Sequence, residues 1–356
     1  MTGMPPRSPL PQRHGLESAW VRTPDQGECR RLAASADDIS AAAGRGATAM
    51  TGAAPWLTMR QFLTWKLPRI GQPRIDEMVA EGRFVDLTGV PITPQTPFTA
   101  QTFIYFHRDL PVETPVPFPI GILYRDDRIL VADKPHFLSS IPRGSHVLES
   151  VVVRLRTELG MPELTVAHRL DRVTAGVLLL TCQRQWRRPY QELFEHHLVH
   201  KSYRVLAEAL DLPPEGIEVA SRIGKDRGVS LAQEGPGAAP TPRTRARLRA
   251  RRGDLGLYEA TPLTGKTHQI RLHFNRLGAP ILNDPFYPEL LDTAVDDFTR
   301  PLQLPAHELS FTDPVSGKFR SFRSRQKLAC WGCGWRTPLR SGGARPPELL
   351  IPPGGE

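Results

Sequence analysis

The chain has 356 residues, 40% of them apolar, so it is long enough to bury the cores of one large domain and one small one. Its formal charge is +9, from 46 Lys and Arg against 37 Asp and Glu, which favours a polyanionic partner. Four cysteines are too few for a disulfide scaffold, and no apolar run approaches the roughly 20 residues that span a bilayer. We therefore expect a folded cytoplasmic protein without a signal peptide.

The first segment, residues 1–54, is rich in Gly, Pro, Ala, Ser and Arg without periodicity, which predicts disorder. From Trp56 onward, MRQFLTWKL has apolar residues at helical spacing. In PRIDEMVAEG, Pro73 and Gly82 stand where a helix favours these residues, at its start and just past its end. RFVDLTGVPIT and TFIYF then predict short strands. Residues 55–110 are thus a predicted small α/β module, which either binds RNA or only packs against the next domain.

A proline-rich linker, residues 111–118, leads to the main domain, residues 119–327. ILYRDDRILVADKP predicts strand, turn and strand, and further strands are predicted at VLLLT, SYRVLAEAL and TRARLRARR. Helices such as LESVVVRLRTEL lie between only some of them, so we predict an α+β fold with a mostly antiparallel, mixed sheet. The Gly- and Pro-rich tail, residues 328–356, is predicted to be disordered, and its isolated CWGCG has too few ligands for structural zinc.

One predicted strand has an arginine at every second position. On a strand this spacing places the arginines on one face and the small or apolar residues on the other. The arginines are Arg243, Arg245, Arg247, Arg249 and Arg251. Five like charges on one face repel one another unless a polyanion covers them, so the face is either an RNA-binding surface or a solvated edge that discourages aggregation.

The stretch HRLDRVTAGVLLL places Asp171 among charged residues directly before a run that must be buried. A carboxylate at the edge of an apolar core is either a member of a structural ion pair or a catalytic group. The stretch therefore marks a candidate site, and its own residues leave these two alternatives open.

Three segments, HRLDRVTAG, KSYRVL and TPLTGKTHQIRLHFNRLGAPILNDPFY, resemble the signature blocks of the RluA-type family of RNA pseudouridine synthases. ILYRDDRILVADKP and LPAHELSFTDPVSGK are similar to two weaker blocks of the same family. The five blocks follow the family's order over residues 120–322. Residues 55–110 also loosely resemble the small RNA-binding domain that precedes some family members.

The resemblance implies a catalytic domain of the pseudouridine synthase type that isomerises uridine in structured RNA, either rRNA or tRNA, without cofactor or metal. It implies that Asp171 is the essential carboxylate, acting either as nucleophile at C1′ or as base at the 2′ position. It pairs Arg271 with Asp171. It also places Tyr203 beside the flipped uracil, where it is a candidate base for the C5 proton. Arg169 matches the arginine thought to fill the gap that the flipped base leaves.

The same blocks suggest roles for further residues. The segment after the Thr-Gly turn is expected to shape the pocket or contact phosphate, with packing alone as the alternative. Its residues are Lys266, Thr267, His268 and Gln269. His168 is expected to be structural. His196 and His200 stand four residues apart on a predicted helix, but no carboxylate or cysteine at clear spacing supports a metal site.

Two positions depart from the family's usual pattern: Ala175 stands where many members have serine, and Lys266 where arginine is commoner. We expect a local adjustment at the first position and a looser phosphate contact at the second. The alternative function is a catalytically silent RNA-binding or assembly factor on the same fold. The retained Asp171, Tyr203 and Arg271 argue against it, since a binding protein has no need of these three. A monomer is the default expectation.

Overall fold

The computed structural model describes residues 5–33, 54–224, 233–234, 242–294 and 296–332. The chain divides into two compact units, Met1–Pro111 and Val112–Glu356. Within the described ranges, no helix is long and apolar enough to cross a membrane.

The first unit combines a small antiparallel sheet with short helices. Its strands are β1 (Ala19–Arg22), β2 (Phe84–Val85) and β3 (Phe103–Phe106), and its helices are α1 (residues 26–33), α2 (Met59–Lys66) and α3 (Gln72–Ala80). The strand order is β1-β3-β2. Thr58 and Gln61 form a capping box that starts α2. Phe62 of α2, Ile75 of α3 and Phe84 of β2 are fully buried, so the helices cover one apolar core with the sheet.

The prediction of disorder for residues 1–54 is wrong for the part that the structure describes. Ala19–Arg22 pairs with β3, and Val21 and Cys29 are buried in the first unit's core. The strand has only four residues, and its partner lies more than 80 residues further along the chain. No local periodicity could reveal such a strand, because a distant partner decides whether it forms. Residues 34–53 lie outside the described ranges.

The second unit contains one large sheet and three α-helices within its described part. The helices are α4 (Val151–Leu159), α5 (Arg187–Glu195) and α6 (Gln269–Arg276), and a 3₁₀ turn spans Arg184–Trp186. The strands are β4 (Gly121–Arg125), β5 (Ile129–Lys134), β6 (Thr165–Val166), β7 (Gly176–Thr181), β8 (Val199–Glu208), β9 (Ile217–Ala220), β10 (Ile223–Gly224), β11 (Gln233–Glu234), β12 (Arg243–Arg252), β13 (Leu255–Pro262), β14 (Ala306–Thr312) and β15 (Phe319–Arg323).

The large sheet has the order β4-β5-β7-β14-β8-β13-β12-β9, with β15 added to β14 and β6 to β7. Among these pairs, β7 with β14 is parallel and the others are antiparallel. β10 and β11 form a separate hairpin. The predicted α+β fold with a mostly antiparallel, mixed sheet is therefore confirmed.

Strand β7, the VLLLT run, is buried on both faces. Leu178 and Leu180 belong to a core cluster with Leu155 of α4 and Phe274 of α6. On the other face, Val177 and Leu179 pack in a cluster with Tyr190 of α5. A strand covered on both faces needs a continuous apolar run rather than an alternating one. This central strand is the rigid element that begins immediately after the loop carrying Asp171.

Gly176, the first residue of β7, allows β14 to approach closely. Its φ is +116°, and a Cβ built there would overlap the carbonyl oxygen of Ala306 and lie 2.6 Å from the Ala306 nitrogen. Gly176→Ala should therefore lower the free energy of unfolding by roughly 2–4 kcal/mol, because neither backbone can move away cheaply. Urea denaturation measures this. Gly224→Ala is the matched control, since a Cβ at Gly224 meets no atom within 4 Å, and equal effects of both substitutions would contradict the account.

The first residues of the tail are also ordered, contrary to the predicted disorder of residues 328–356. The backbone nitrogen of Cys330 donates to Gln303 Oε1 at 3.1 Å. Arg252 donates to the carbonyl of Trp331 at 2.7 Å, and its guanidinium lies 4.7 Å from the centre of the Trp331 ring. The sequence could not show these contacts, because they depend on side chains far from the tail. Residues 333–356, with Cys333, lie outside the described ranges.

Candidate active site

Asp171 lies in the loop between β6 and β7, and neighbouring side chains fix this loop by hydrogen bonds. Ser140 Oγ donates to the carbonyl of Leu170 at 2.7 Å and accepts from the Leu170 nitrogen at 3.0 Å. His136 Nδ1 lies 2.9 Å from the carbonyl oxygen of Val173. The backbone on both sides of Asp171 is thus held in place. The Asp171 side chain remains 32% exposed, so a substrate can reach it.

Lys134, the last residue of β5, ties the same loop to the sheet. Its Nζ is fully buried and donates to the carbonyls of Pro135, Leu138 and Arg172 at 3.1, 2.5 and 3.0 Å. Burial lowers the pKa of Lys134 to about 7, and the nearby carboxylate of Asp171 opposes this shift. Lys134 is therefore a positioning residue for the loop. The Lys-Pro block of the sequence contains Lys134 but does not reveal this role.

The predicted pairing of Arg271 with Asp171 is present, but Asp171 is not the main partner. Arg271, on α6, is 1% exposed, and its Nη1 lies 3.4 Å from Asp171 Oδ2. Its Nε and Nη2 donate to the two carboxylate oxygens of Asp284 at 2.7 and 2.5 Å. This bidentate contact is the stronger geometry. Asp284 therefore anchors the guanidinium and leaves Nη1 directed at Asp171.

Aromatic residues enclose this ion pair. Asp284 Oδ1 also accepts from the backbone nitrogens of Phe286 and Tyr287, at 2.8 and 3.3 Å. The rings of these two residues lie 4.8 and 5.4 Å from the Arg271 guanidinium. His268, with a positive φ of 56°, has Nδ1 at 3.0 Å from the Tyr287 hydroxyl and Nε2 at 3.7 Å from Asp171 Oδ2. Asp171 thus faces the side chains of Arg271 and His268, and the surrounding contacts hold both in fixed orientations.

Tyr203, on β8, lines the same cavity as Asp171. Burial raises the pKa of the Tyr203 hydroxyl, and the negative charge of Asp171 raises it further. The hydroxyl therefore carries its proton at neutral pH. Stacking on the uracil and accepting the C5 proton, the two roles that the resemblance implies for Tyr203, both stay predictions.

These residues line a cavity of about 780 Å³. Seven Arg and Lys side chains and two carboxylates are among its lining residues, an excess of five positive charges. The cations are Arg143, Arg169, Arg172, Lys201, Lys266, Arg271 and Arg300, and the carboxylates are Asp171 and Asp297. A concave surface with this charge balance attracts a polyanion, and its shape concentrates the positive potential within the cavity, around the Asp171 carboxylate.

The remaining predicted pocket residues fall into two groups. Arg169, Lys266 and Thr267 are exposed and line the cavity, where a substrate can touch them. Gln269 is buried, and its amide is fully used: Nε2 donates to Arg243 O and Thr244 Oγ1, while Oε1 accepts from Thr264 Oγ1 and the Lys266 nitrogen. Packing, the alternative left open by the sequence, therefore describes Gln269 better than RNA contact does.

The predicted arginine face on β12 is exposed, and the residues between the arginines point inward. Thr244 and Ala246 are buried, as the period of two requires. Carboxylates on neighbouring elements pair with most of the arginines, however. The pairs are Arg243 and Arg245 with Glu218, Arg249 with Glu259, and Arg251 with Asp211. These carboxylates reduce the repulsion between the arginines without a polyanion. None of these arginines is among the residues lining the cavity.

His168 has the structural role expected of it. Its Nε2 accepts a hydrogen bond from the Leu179 nitrogen at 3.2 Å, and its ring stacks on Phe194 at 4.3 Å between centres. Burial lowers the pKa of His168 to about 3, so the ring is neutral. His168 therefore braces the loop against β7. Among the described residues, no group of His, Cys, Asp or Glu side chains has the geometry of a metal site.

Sequence reasoning missed three residues of the site: Lys134, Lys201 and Asp284. Asp284 lies in the ILNDPFY part of the third block, and Lys201 begins the KSYRVL block. Their presence in those blocks was the available signal. The roles of Lys134 and Asp284 depend on contacts across the fold, and that of Lys201 on its position at the cavity wall, and the blocks show none of these.

The comparisons with known proteins agree with one another. Residues 128–276 match the family model for RNA pseudouridylate synthase, and this span runs from β5 to α6. It contains Asp171, Tyr203 and Arg271, the three residues predicted to be catalytic.

Curated relatives extend the similarity along the chain. An uncharacterised RNA pseudouridine synthase of Synechocystis sp. is 31% identical over 215 residues, 59% of this chain and 72% of that protein. The dual-specificity RNA pseudouridine synthase RluA of Vibrio vulnificus is 30% identical over 210 residues, 56% of this chain and 80% of that protein. The ribosomal large subunit pseudouridine synthase D of Xanthomonas campestris pv. campestris is 29% identical over 269 residues, 70% and 80% of the two chains.

Proposed function

Since the chain belongs to the RluA-type family of RNA pseudouridine synthases, we propose that it isomerises specific uridines of structured rRNA or tRNA, with Asp171 as the essential carboxylate. The observation that carries this proposal is the placement of Asp171. It is the partly exposed member of an ion pair with a buried arginine, in a cavity with an excess of five positive charges. A polyanionic substrate and an ionised carboxylate are what the reaction requires.

The reaction rearranges one nucleotide without gaining or losing atoms. The C1′–N1 bond breaks, the uracil turns within the pocket, and C5 bonds to C1′. The C5 proton leaves to solvent and N1 takes up a proton, so the step is redox-neutral and uses no cofactor. Asp171 acts either on C1′ as nucleophile or on the 2′ proton as base, and both routes need its ionised form. Nη1 of Arg271, 3.4 Å from Asp171 Oδ2, orients the carboxylate.

The uridine must leave its stack to reach Asp171, because duplex RNA does not present C1′ to a side chain in a pocket. We infer that Tyr203, which lines the cavity, stacks on the extruded uracil. We infer that Arg169, which is exposed and lies two residues before Asp171, enters the gap that the flipped base leaves in the RNA. The name of the Xanthomonas relative supports large-subunit rRNA as the substrate, and the family resemblance supports tRNA. We further propose that the protein acts in the cytoplasm and that it acts as a monomer.

The function is tested with unmodified transcripts that carry tritium at uridine C5. Incubation with the wild-type protein should release tritium into water, because C5 exchanges its hydrogen when it bonds to C1′. Large-subunit rRNA and tRNA transcripts are assayed separately, so that the class releasing tritium identifies the substrate. Tight RNA binding without release from either class would instead support the catalytically silent factor.

The arginine face on β12 extends the cationic surface away from the cavity. Its first residue, Arg243, is tied to the pocket because its carbonyl accepts from the Leu263 nitrogen and Gln269 Nε2, both at 2.8 Å. Replacing Arg245 and Arg247 together by alanine should weaken RNA binding and reduce the slope of log K against log salt by roughly 1.5–2. Filter binding across a salt series measures this slope.

The matched control for this double variant is Arg323→Ala. Arg323 is an equally exposed strand arginine paired with a glutamate, on β15 and outside the cavity lining. It should leave the salt slope unchanged. If the double variant and the control behave alike, the β12 face is a solvated edge rather than an RNA-binding surface.

A further inference from the structure

Lys201 lies on β8 two residues before Tyr203, and both residues line the cavity. Alternate side chains of a strand point to opposite faces, so Lys201 and Tyr203 share one face. Ser202, between them, points the other way and donates to Glu259 Oε1 at 3.1 Å. The cavity face of β8 therefore presents a lysine and a tyrosine whose Cα atoms lie about 7 Å apart along the strand.

The ammonium group of Lys201 has no partner among the residues that the structure describes. Neither a hydrogen bond nor an ion pair reaches its Nζ, although the side chain is half-buried. Burial lowers the pKa of Lys201, and no carboxylate offsets this effect. A Cβ built at Gly265, the residue before Lys266, would lie 3.8 Å from the Lys201 Nζ. An unpaired, partly desolvated charge is costly in the free protein, and an anion at this position would remove that cost.

We propose that Lys201 binds a phosphodiester group of the RNA directly beside the flipped uridine. The proposal rests on the function proposed above. Phosphate is the anionic group of a nucleotide, since the ribose and uracil are neutral. The placement also suits one nucleotide, because a uracil stacked on Tyr203 has a phosphate about one sugar away and Lys201 is the cation on the same face of the same strand. Exposed Arg169 and Lys266 on the same cavity can receive the backbone where it enters.

A phosphate contact and a structural role differ in their effect on stability. Lys201→Met removes an unpaired charge and keeps the aliphatic length, so the melting temperature should stay equal or rise. A lysine that held the fold together would give a lower melting temperature when replaced. Lys201→Arg retains the charge and should restore most of the RNA contact.

The test measures tritium release from the substrate transcript by wild type, Lys201→Met, Lys201→Arg and the control Lys318→Met. Lys318 is exposed and lies outside the cavity lining. Lys201→Met should raise KM roughly tenfold with kcat nearly unchanged, as expected for loss of one charge-assisted contact. The slope of log kcat/KM against log salt should fall by roughly 0.7–0.9 for this variant, and Lys201→Arg should restore it.

Three results would overturn the proposal. An unchanged KM and salt slope in Lys201→Met would show that no phosphate is bound there. A loss confined to kcat would assign Lys201 to the proton transfers instead. A lowered melting temperature with proportional loss of activity would make it structural. Failure of the function itself is distinct, since the wild type would then release no tritium at all.

Discussion

Replacing Asp171 by asparagine should abolish tritium release while leaving the protein folded and able to bind RNA. Asparagine keeps the shape of the side chain but can neither attack C1′ nor accept the 2′ proton. Loss of an essential carboxylate of this kind lowers kcat by roughly 10⁴-fold or more. The fold should survive because Arg271 keeps its bidentate contact with Asp284 and buried Lys134 keeps its three carbonyl acceptors. The loss of stability should stay below about 1 kcal/mol.

The assay compares initial rates of release by equal amounts of folded protein on the transcript that the wild type modifies. Asp297→Asn serves as the matched control. Asp297 is the other carboxylate among the described residues that line the cavity, and its side chain accepts hydrogen bonds from the nitrogen and hydroxyl of nearby Thr299. The control should retain activity close to that of the wild type. If Asp171→Asn still released tritium at a comparable rate, another group would have to supply the chemistry.

Asp284→Ala should cost more stability than any other single substitution in the site. It leaves the guanidinium of Arg271, 1% exposed, with the 3.4 Å contact to Asp171 as its one remaining carboxylate contact among the described residues. Breaking a buried ion pair by removing one partner typically costs about 3–5 kcal/mol. The backbone nitrogens of Phe286 and Tyr287 lose their acceptor as well. Catalysis should fall too, because Arg271 is then free to turn away from the position in which it holds Asp171.

Urea denaturation gives the free energy of unfolding of this variant, with Asp76→Ala as the control. Asp76 pairs with Arg60 at 2.5 Å, but both side chains are about one-third exposed, so that variant should lose about 1 kcal/mol or less. The double variant Arg271→Met with Asp284→Leu should regain much of the stability and none of the activity. A loss below about 1 kcal/mol in Asp284→Ala would show that Asp284 does not anchor the arginine.

The parts of the fold that local sequence decides could be predicted. The VLLLT run has to be a strand buried on both faces, and HRLD directly before it has to lie at the core's edge. The alternation of arginines in TRARLRARR likewise predicts which side chains of β12 are exposed. In these cases the residues that fix the structure are neighbours in the chain, so their pattern is sufficient evidence.

The parts that depend on distant partners could not be predicted. Asp284, the main partner of Arg271, is 13 residues from it, and no periodicity connects the two. Glu218 and Glu259 screen the β12 arginines only because β9 and β13 pair on either side of β12. Strand β1 forms because it pairs with β3, which lies far along the chain. In each case the sheet order creates the contact, and the sequence alone does not contain the sheet order.

The most direct test of the account is the nucleoside content of an unmodified substrate transcript after incubation with wild type or Asp171→Asn. The transcript is digested and its nucleosides are separated, so that pseudouridine is distinguished from uridine. We predict pseudouridine in the wild-type sample, one equivalent of uridine lost for each pseudouridine gained, and none in the Asp171→Asn sample. Equal amounts of pseudouridine in both samples would contradict the assignment of Asp171. Its absence from both, with RNA still bound, would contradict the proposed reaction.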